Sequence, residues 1–457
     1  MSKSLFSEFE RVSAKAWKQK IQVDLKGADY NDTLIWKTNE GIDVRPFYHS
    51  DEFDASPKIS ASEGKLWKIC QIIDVTDVEK ANKKAIDAIE RGAEHITFVI
   101  HSKDIQMKFL MQDINFAKID VSLKMMFLSA DFVSQNEVKH TLGSKLLLEI
   151  DIIHHLVASG NWYTNLKEDH QHWEKIVKSS GQLHINLQTY QNAGANIVQQ
   201  LAYALAHTNE YLNHLENFLN TEDKEDLITV FHVSVGSNYF FEISKLRALR
   251  LLWKTLAPEF DLNGDCIIVA TPSKRNKTIY DYNVNMLRTT TECMSAVLGG
   301  ANVVSNLPYD NLYHKPNEFG DRISRNQLLV LKKESYFDKV NNPADGAYYI
   351  ENLTQQLAEK ALNLFKDIEA NGGFLNQLKE GTIQRKIKES AAKEQADFDA
   401  GILVLLGTNR HPNPADKMKN ELEINPFVKK EKRKTIIEPI IEKRLSEKLE
   451  INRLNNE

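Results

Sequence analysis

Apolar positions change period once within residues 227–258. Ile228 to Val235 is a β-branched, nearly continuous apolar run that stops at Gly236-Ser237-Asn238. A run of that length, bounded by turn residues, predicts a short buried strand. From Phe240 the period becomes three and four. Phe240, Ile243, Leu246, Leu249, Trp253 and Leu256 form the stripe of an amphipathic helix, which Pro258 ends. One strand–turn–helix unit cannot bury both of its apolar faces, so it implies neighbours of the same kind. Further strands are predicted at about Leu66–Ile73, Ile96–Ile100, Met125–Leu128, Leu146–Ile150, Leu183–Leu187, Cys266–Ala270 and Asn302–Ser305. Helices are predicted at Ala81–Arg91, Ala195–Leu219 and Tyr282–Leu298. Eight short apolar strands alternating with helices point to a parallel α/β sheet covered on both faces, with the closed (β/α)8 TIM barrel as the leading architecture.

The two ends read differently. Residues 1–45 have a predicted helix near Phe6–Trp17, then Gly27, Asn31 and Gly41, with Trp17, Tyr30 and Trp36 among charges. A segment this short builds no core of its own. It reads as an extended arm that wraps a partner, through Trp17, Tyr30 and Trp36. Residues 46–411 form the barrel and its following helices; Leu353, Leu357, Ala361, Leu364 and Ile368 stripe a long one stopped by Gly372-Gly373. Residues 412–457 read as a short helical extension in a charged C-terminal tail. Its run from Lys429 to Lys434 is expected to be solvated rather than an anion or nucleic-acid site.

A net charge of -5 over 457 residues leaves no nucleic-acid footprint. Cys70, Cys266 and Cys293 are odd in number and widely spaced, which suits a reducing compartment. With no apolar core at the start and no 18-residue apolar run, the expected location is cytoplasmic, away from membranes. Three clusters carry possible chemistry. Lys274, Arg275 and Lys277 follow a barrel strand, where such folds bind ligands; an anion site and a solvated loop are the two readings, the loop being the default. Asp169-His170-Gln171-His172 offers two imidazoles to a metal, but with no cysteine nearby it reads as a wet loop. His207 and His214 stand two helical turns apart, too far to share an ion, and read as surface or interface residues.

Several stretches resemble the methylmalonyl-CoA mutase family. They are Phe240-Phe241-Glu242-Ile243 with Lys245, Arg247, Arg250 and Trp253; Asn192-Ala193-Gly194-Ala195 running into Gln199–Ala206; Arg288-Thr289-Thr290 leading to Ala296–Gly300; and Asn342–Glu351 with Ile368–Gly373. Leu25-Lys26-Gly27, Leu34–Ile42 and Val44–Tyr48 resemble the family's passage from arm to barrel. The resemblance spans about residues 17 to 410, in family order. It implies a TIM barrel that holds acyl-CoA and chemistry driven by adenosylcobalamin, which a separate C-terminal domain carries through Asp-x-His-x-x-Gly.

That motif is missing here: Asp151 precedes His154 and His155, but neither spacing fits. The histidine that donates to the substrate carbonyl is missing too. Aligned on Ala193-Gly194-Ala195, the family's Tyr-His pair falls on Gln188-Thr189, or with a slip on Tyr190-Gln191; His184 lies within the preceding strand. The family's Arg-Gln-Tyr-Ala-Gly-Phe corresponds to Trp67–Ile72, and its Thr-Ser-Gly-Trp-Ser to Thr271–Arg275. No segment carries the family's carboxylate clamp. Scaffold motifs survive while substrate and cofactor motifs vanish, which is similar to the family's small (β) subunit. The resemblance then implies no catalytic, cofactor or metal residues on this chain, adenosylcobalamin on a partner large subunit, and a heterodimer. Two alternatives stay open: a subunit that holds acyl-CoA and uses cobalamin held by another chain, and a free-standing binder of CoA esters.

Overall fold

The computed structural model describes residues 7–53, 67–135, 146–428 and 433–457. Phe6, Leu66 and the stretch 429–432 of the basic run lie outside the described residues. Eight parallel strands form the barrel: β1 Lys68–Val75, β2 His95–Ile100, β3 Asp120–Met125, β4 Leu146–Glu149, β5 Gln182–Asn186, β6 Ile228–Val235, β7 Cys266–Pro272 and β8 Val303–Ser305. Their hydrogen-bonded order is β4-β3-β2-β1-β8-β7-β6-β5. Helices fill the crossovers, as right-handed βα units require.

The third strand lies upstream of its predicted position. Met125–Leu128 is the apolar stretch, but the ladder runs over Asp120–Met125, where Val121, Leu123 and Met125 face the helices and alternate with polar residues. Ser122, on the inner face, bonds to His95 at 2.7 Å. The barrel interior is therefore largely polar. One small apolar layer of Cys70, Leu147, Val230, Val269 and Val303 crosses it, while the main core lies outside, between strands and helices.

Between β4 and β5 the barrel is closed by a side chain. Gln182 Oε1 accepts from the Leu148 amide at 2.9 Å, and its Nε2 donates to the Leu146 carbonyl at 2.6 Å. Above it, Asp151 accepts from the Asn186 amide (2.7 Å) and the Tyr211 hydroxyl (2.7 Å). The turn after β5 needs glycine: Gly194 has φ +99°, and a Cβ there would lie 2.6 Å from Ala391 Cβ.

The arm helix spans Ala14–Asp24 rather than Phe6–Trp17, because Ser13 caps it through the Ala16 amide. None of its residues is buried. A turn of helix at Tyr30–Leu34 and a two-residue ladder, Trp36–Lys37 with Asp43–Val44, lead into the barrel. At the other end, Arg433 and Lys434 of the basic run are exposed as expected, but much of residues 437–450 is packed rather than solvated. Ile437, Ile440 and Leu445 are buried, and a helix at Glu447–Asn455 carries the buried Glu447 and Glu450. Charge composition misled here because Arg444 and Glu450 form a buried ion pair at 2.6 Å. Among the described residues no helix is long and apolar enough to cross a membrane.

Candidate functional site

In this fold, sites form at the C-terminal ends of the strands. A single turn of helix, Gln188–Asn192, follows β5 there and buries Thr189, Tyr190, Gln191 and Asn192. Thr189 Oγ1 lies 3.0 Å from His154 Nε2. His154 sits in the helix Ile152–Ser159 after β4, whose first turn Asp151 caps through the His154 amide at 2.8 Å. Burial lowers the His154 imidazole to about 4, although Asp151 pulls it upward, so the ring is neutral at pH 7. A histidine thus stands beside Thr189, one of the two expected positions, supplied by the helix after β4. Sequence alignment looks along one segment and cannot see it; the available signal was a histidine just past the end of a barrel strand.

Beneath this pair lies a second imidazole chain. His184 Nδ1 and His232 Nε2 are 3.0 Å apart, and His184 Nε2 is 3.2 Å from Gln182 Oε1. That amide oxygen accepts, so His184 Nε2 carries the proton and its Nδ1 receives one from His232. Burial is the largest influence on both rings and pushes each down to about 3. Glu149 Oε2 lies 3.8 Å from His232 Nδ1.

Gln191 is committed to the scaffold. Its Nε2 donates to Glu242 Oε1 at 2.8 Å, and its Oε1 accepts from Lys245 Nζ at 3.0 Å. Glu242 and Lys245 form a buried ion pair, closed by the Gly236 amide on Glu242 (2.8 Å) and by the Ser234 carbonyl on Lys245 (2.7 Å). Burial lowers the Lys245 pKa while Glu242 opposes that shift. The Glu242–Lys245 motif therefore fastens the β6 turn to the β5 turn.

Lys274, Arg275 and Lys277 form neither a solvated loop nor an open anion site. Lys277 is buried on Glu292 at 2.7 Å, and Arg275 Nε meets Glu394 at 2.5 Å. Lys274, half-exposed, stands 3.7 Å from Glu442. Asp169, His170 and His172 are helical rather than in a loop, within Leu166–Ser180, because Asn165 caps that helix through the Glu168 amide. Asp169 is spent on the amides of Tyr163 (2.7 Å) and Thr164 (3.0 Å). Among the described residues no group of three or more His, Cys, Asp or Glu side chains is placed to hold a metal. His207, expected at the surface or at an interface, is fully buried between the Tyr190 hydroxyl and Asp151, 3.1 Å from each. Half-buried His214 pairs with Glu174 at 2.8 Å.

In the arm, Trp17 stands edge-on to Phe47 and Trp36 edge-on to Phe241, and they remain 52% and 51% exposed. Tyr30 is 6% exposed, covered by Lys18 at 4.7 Å. Its ring is already used within the chain.

The family model for methylmalonyl-CoA mutase matches residues 99–455. The methylmalonyl-CoA mutase small subunit of Porphyromonas gingivalis is 33% identical over 442 residues, covering 90% of this chain and 71% of that protein. The methylmalonyl-CoA mutase of Cereibacter sphaeroides is 30% identical, covering 87% of this chain and 64% of that protein. The human mitochondrial enzyme is 26% identical, covering 86% and 60%. This chain spans about two thirds of the length of these curated relatives. Matched over most of its length, with the motif residues Gly194, Glu242 and Lys245 building the turns around the barrel mouth, the chain belongs to the methylmalonyl-CoA mutase family.

Proposed function

We propose that this chain is the non-catalytic small subunit of a two-chain methylmalonyl-CoA mutase, an isomerase. A longer partner carries adenosylcobalamin and interconverts methylmalonyl-CoA and succinyl-CoA. One observation carries this reading. Both candidate positions for the family histidine, Thr189 and Gln191, are buried and hydrogen-bonded into the scaffold. The name of the P. gingivalis relative, a small subunit, agrees with a partnered role.

Asp151 and His154, the nearest match to the family's cobalt-ligating motif, do not fit cobalamin. A cobalt ligand needs an accessible imidazole whose second nitrogen is held by a carboxylate. Here Asp151 is consumed by His207, Tyr211 and two backbone amides, and His154 points its Nε2 at Thr189 inside the protein. Contact with the partner is assigned to the arm, through the half-exposed rings of Trp17 and Trp36; tryptophan is enriched at binding hot spots. Cytoplasmic residence suits Cys70, Cys266 and Cys293, all free and buried.

His154 beside Thr189 favours a second reading, in which this barrel still handles acyl-CoA with cobalamin borrowed from the partner. Co-expression with a longer homologue carrying Asp-x-His-x-x-Gly tests both. The subunit reading expects a stable complex, no cobalamin-dependent spectral change with this chain alone, and no turnover once the longer chain's own catalytic histidine is replaced. Turnover surviving that replacement selects the second reading; failure of the chains to associate rejects both.

A further inference from the structure

Residues 436–445 cross the C-terminal mouth of the barrel without forming helix or strand. Their backbone is tied to the ends of three different units. The Ile436 and Ile437 amides donate to the Gly160 carbonyl (3.0 and 3.1 Å) and Ile440 to Val157 (2.8 Å), both beyond β4. Lys443 donates to Asn192 (3.0 Å), beyond β5, and Leu445 to Arg275 (2.9 Å), beyond β7. Ile437, Ile440 and Leu445 point inward and are buried. Ile436 and Ile441 face out, so the segment lies on the mouth with one side in and one side out.

The side chain at the centre is acidic. Glu442 Oε1 accepts from Asn192 Nδ2 at 3.1 Å, and its other oxygen faces Lys274 Nζ at 3.7 Å. It is also within electrostatic reach of His154 below. Asn192 and Lys274 are an amide donor and a cation at a strand-end opening, the pair that would receive an external carboxylate or phosphate. What remains beside Glu442 is a cavity of about 180 Å³, bordered by Asn192, Lys274, Phe427, Lys443 and Arg444. Sites for drug-sized ligands run to roughly 300–1,000 Å³. The segment therefore leaves little room on the part of the mouth beside Asn192 and Lys274.

We propose that residues 436–445 are an internal lid whose Glu442 carboxylate is the resident anion on Asn192 and Lys274, so that an external carboxylate or phosphate ester reaches the buried Thr189, and the Nε2 of His154 held on it, only when the lid lifts. The lid is independent of the subunit assignment, since a catalytically competent barrel would need the same opening.

Diethyl pyrocarbonate, with peptide mapping of the full-length protein, reads access to each histidine. In the wild type His154, part-buried with its Nε2 held on Thr189, should react more slowly than the exposed His101 and His411. Removing the charged hydrogen bond in Glu442→Ala should raise the His154 rate by about tenfold, a loss of the size expected for one charge-assisted bond. Ile440→Ser combined with Glu442→Ala should raise it further. His184, deeper in the barrel, should remain unreactive in every variant. The lid is refuted by His154 reacting in the wild type as fast as His411, or by rates unchanged in both variants. It is equally refuted if His184 reacts alongside His154, because the barrel rather than the lid would then be opening.

Discussion

His154 Nε2 lies 3.0 Å from Thr189 Oγ1, joining the helix after β4 to the turn after β5 across a seam that lacks a backbone ladder among the described residues. The contact places a neutral imidazole beside Thr189, one of the two positions where the family resemblance leads one to expect a histidine. It also occupies the Nε2 of that imidazole, since a threonine hydroxyl and a part-buried ring satisfy one another.

Thr189→His should leave this barrel inactive in a complex whose partner is disabled. One general acid supplies roughly 10²–10⁴-fold, but the carboxylate clamp and the tyrosine over the reacting carbons would still be missing. The larger ring also has to share its place with His154, so stability should fall by about 1–3 kcal/mol through overpacking. Turnover from this barrel, or an unchanged denaturant midpoint, would count against the account.

Gln182→Leu should open the seam. It strands the Leu148 amide and the Leu146 carbonyl, and removes the acceptor of His184. Each buried group left unpaired costs about 1–3 kcal/mol, so a loss of roughly 2–5 kcal/mol is expected. Hydrogen exchange at the Leu148 amide should accelerate in step. Unaltered exchange there would mean the seam is held by something else.

Acid should destabilise the chain well above the carboxylate range. Burial holds His95 and His154 at about 4, and His184 and His232 at about 3. An unfolded histidine titrates near 6.5. Below that pH the unfolded state binds more protons than the folded one, so stability falls as pH drops from about 6.5 toward 4. At pH 5 each ring contributes a loss of about 2 kcal/mol, and coupling between neighbouring rings makes the sum an upper bound. Asp151 works in a lower window. Burial alone would raise its carboxyl, but His207 and its hydrogen bonds hold it below the usual value. Its stabilisation is lost only below about pH 4. Melting temperatures measured at pH 7 and pH 5 should differ by many degrees; equal values would show that these rings are not held neutral.

Trp17→Ala and Trp36→Ala should weaken association with the longer chain while sparing the fold. Hot-spot tryptophans contribute about 2 kcal/mol or more, roughly thirtyfold in Kd. Trp17 lies on a helix with no buried residue, so its replacement should shift stability by no more than about 0.5 kcal/mol. Point substitutions are better suited than deletion of the arm, because Tyr30 and Thr38 are buried and the Asn39 carbonyl accepts from Asn196 at 3.2 Å. Affinity within twofold of wild type for both variants would assign the grip elsewhere.

Local periodicity by itself settled the barrel, because a strand or helix declares its period within ten residues and eight alternations leave few topologies. The chain's kinship was legible through a different signal, the resemblance of whole motifs such as those around Gly194 and the Glu242–Lys245 pair to a known family. The inner face of the barrel was less legible: Ser122, His184 and His232 sit inside, where apolar runs draw attention to the outer face. Other features were decided only in three dimensions. His154 meets Thr189, 35 positions away, because β4 and β5 are adjacent at the seam. The basic loop is neutralised by Glu292 and Glu394, which arrive from separate helices. The charged C-terminus becomes a lid because Arg444, Glu442 and Glu450 find partners on the barrel. A charge reads as solvated until its partner is known, and a partner brought by tertiary contact leaves no mark in local sequence.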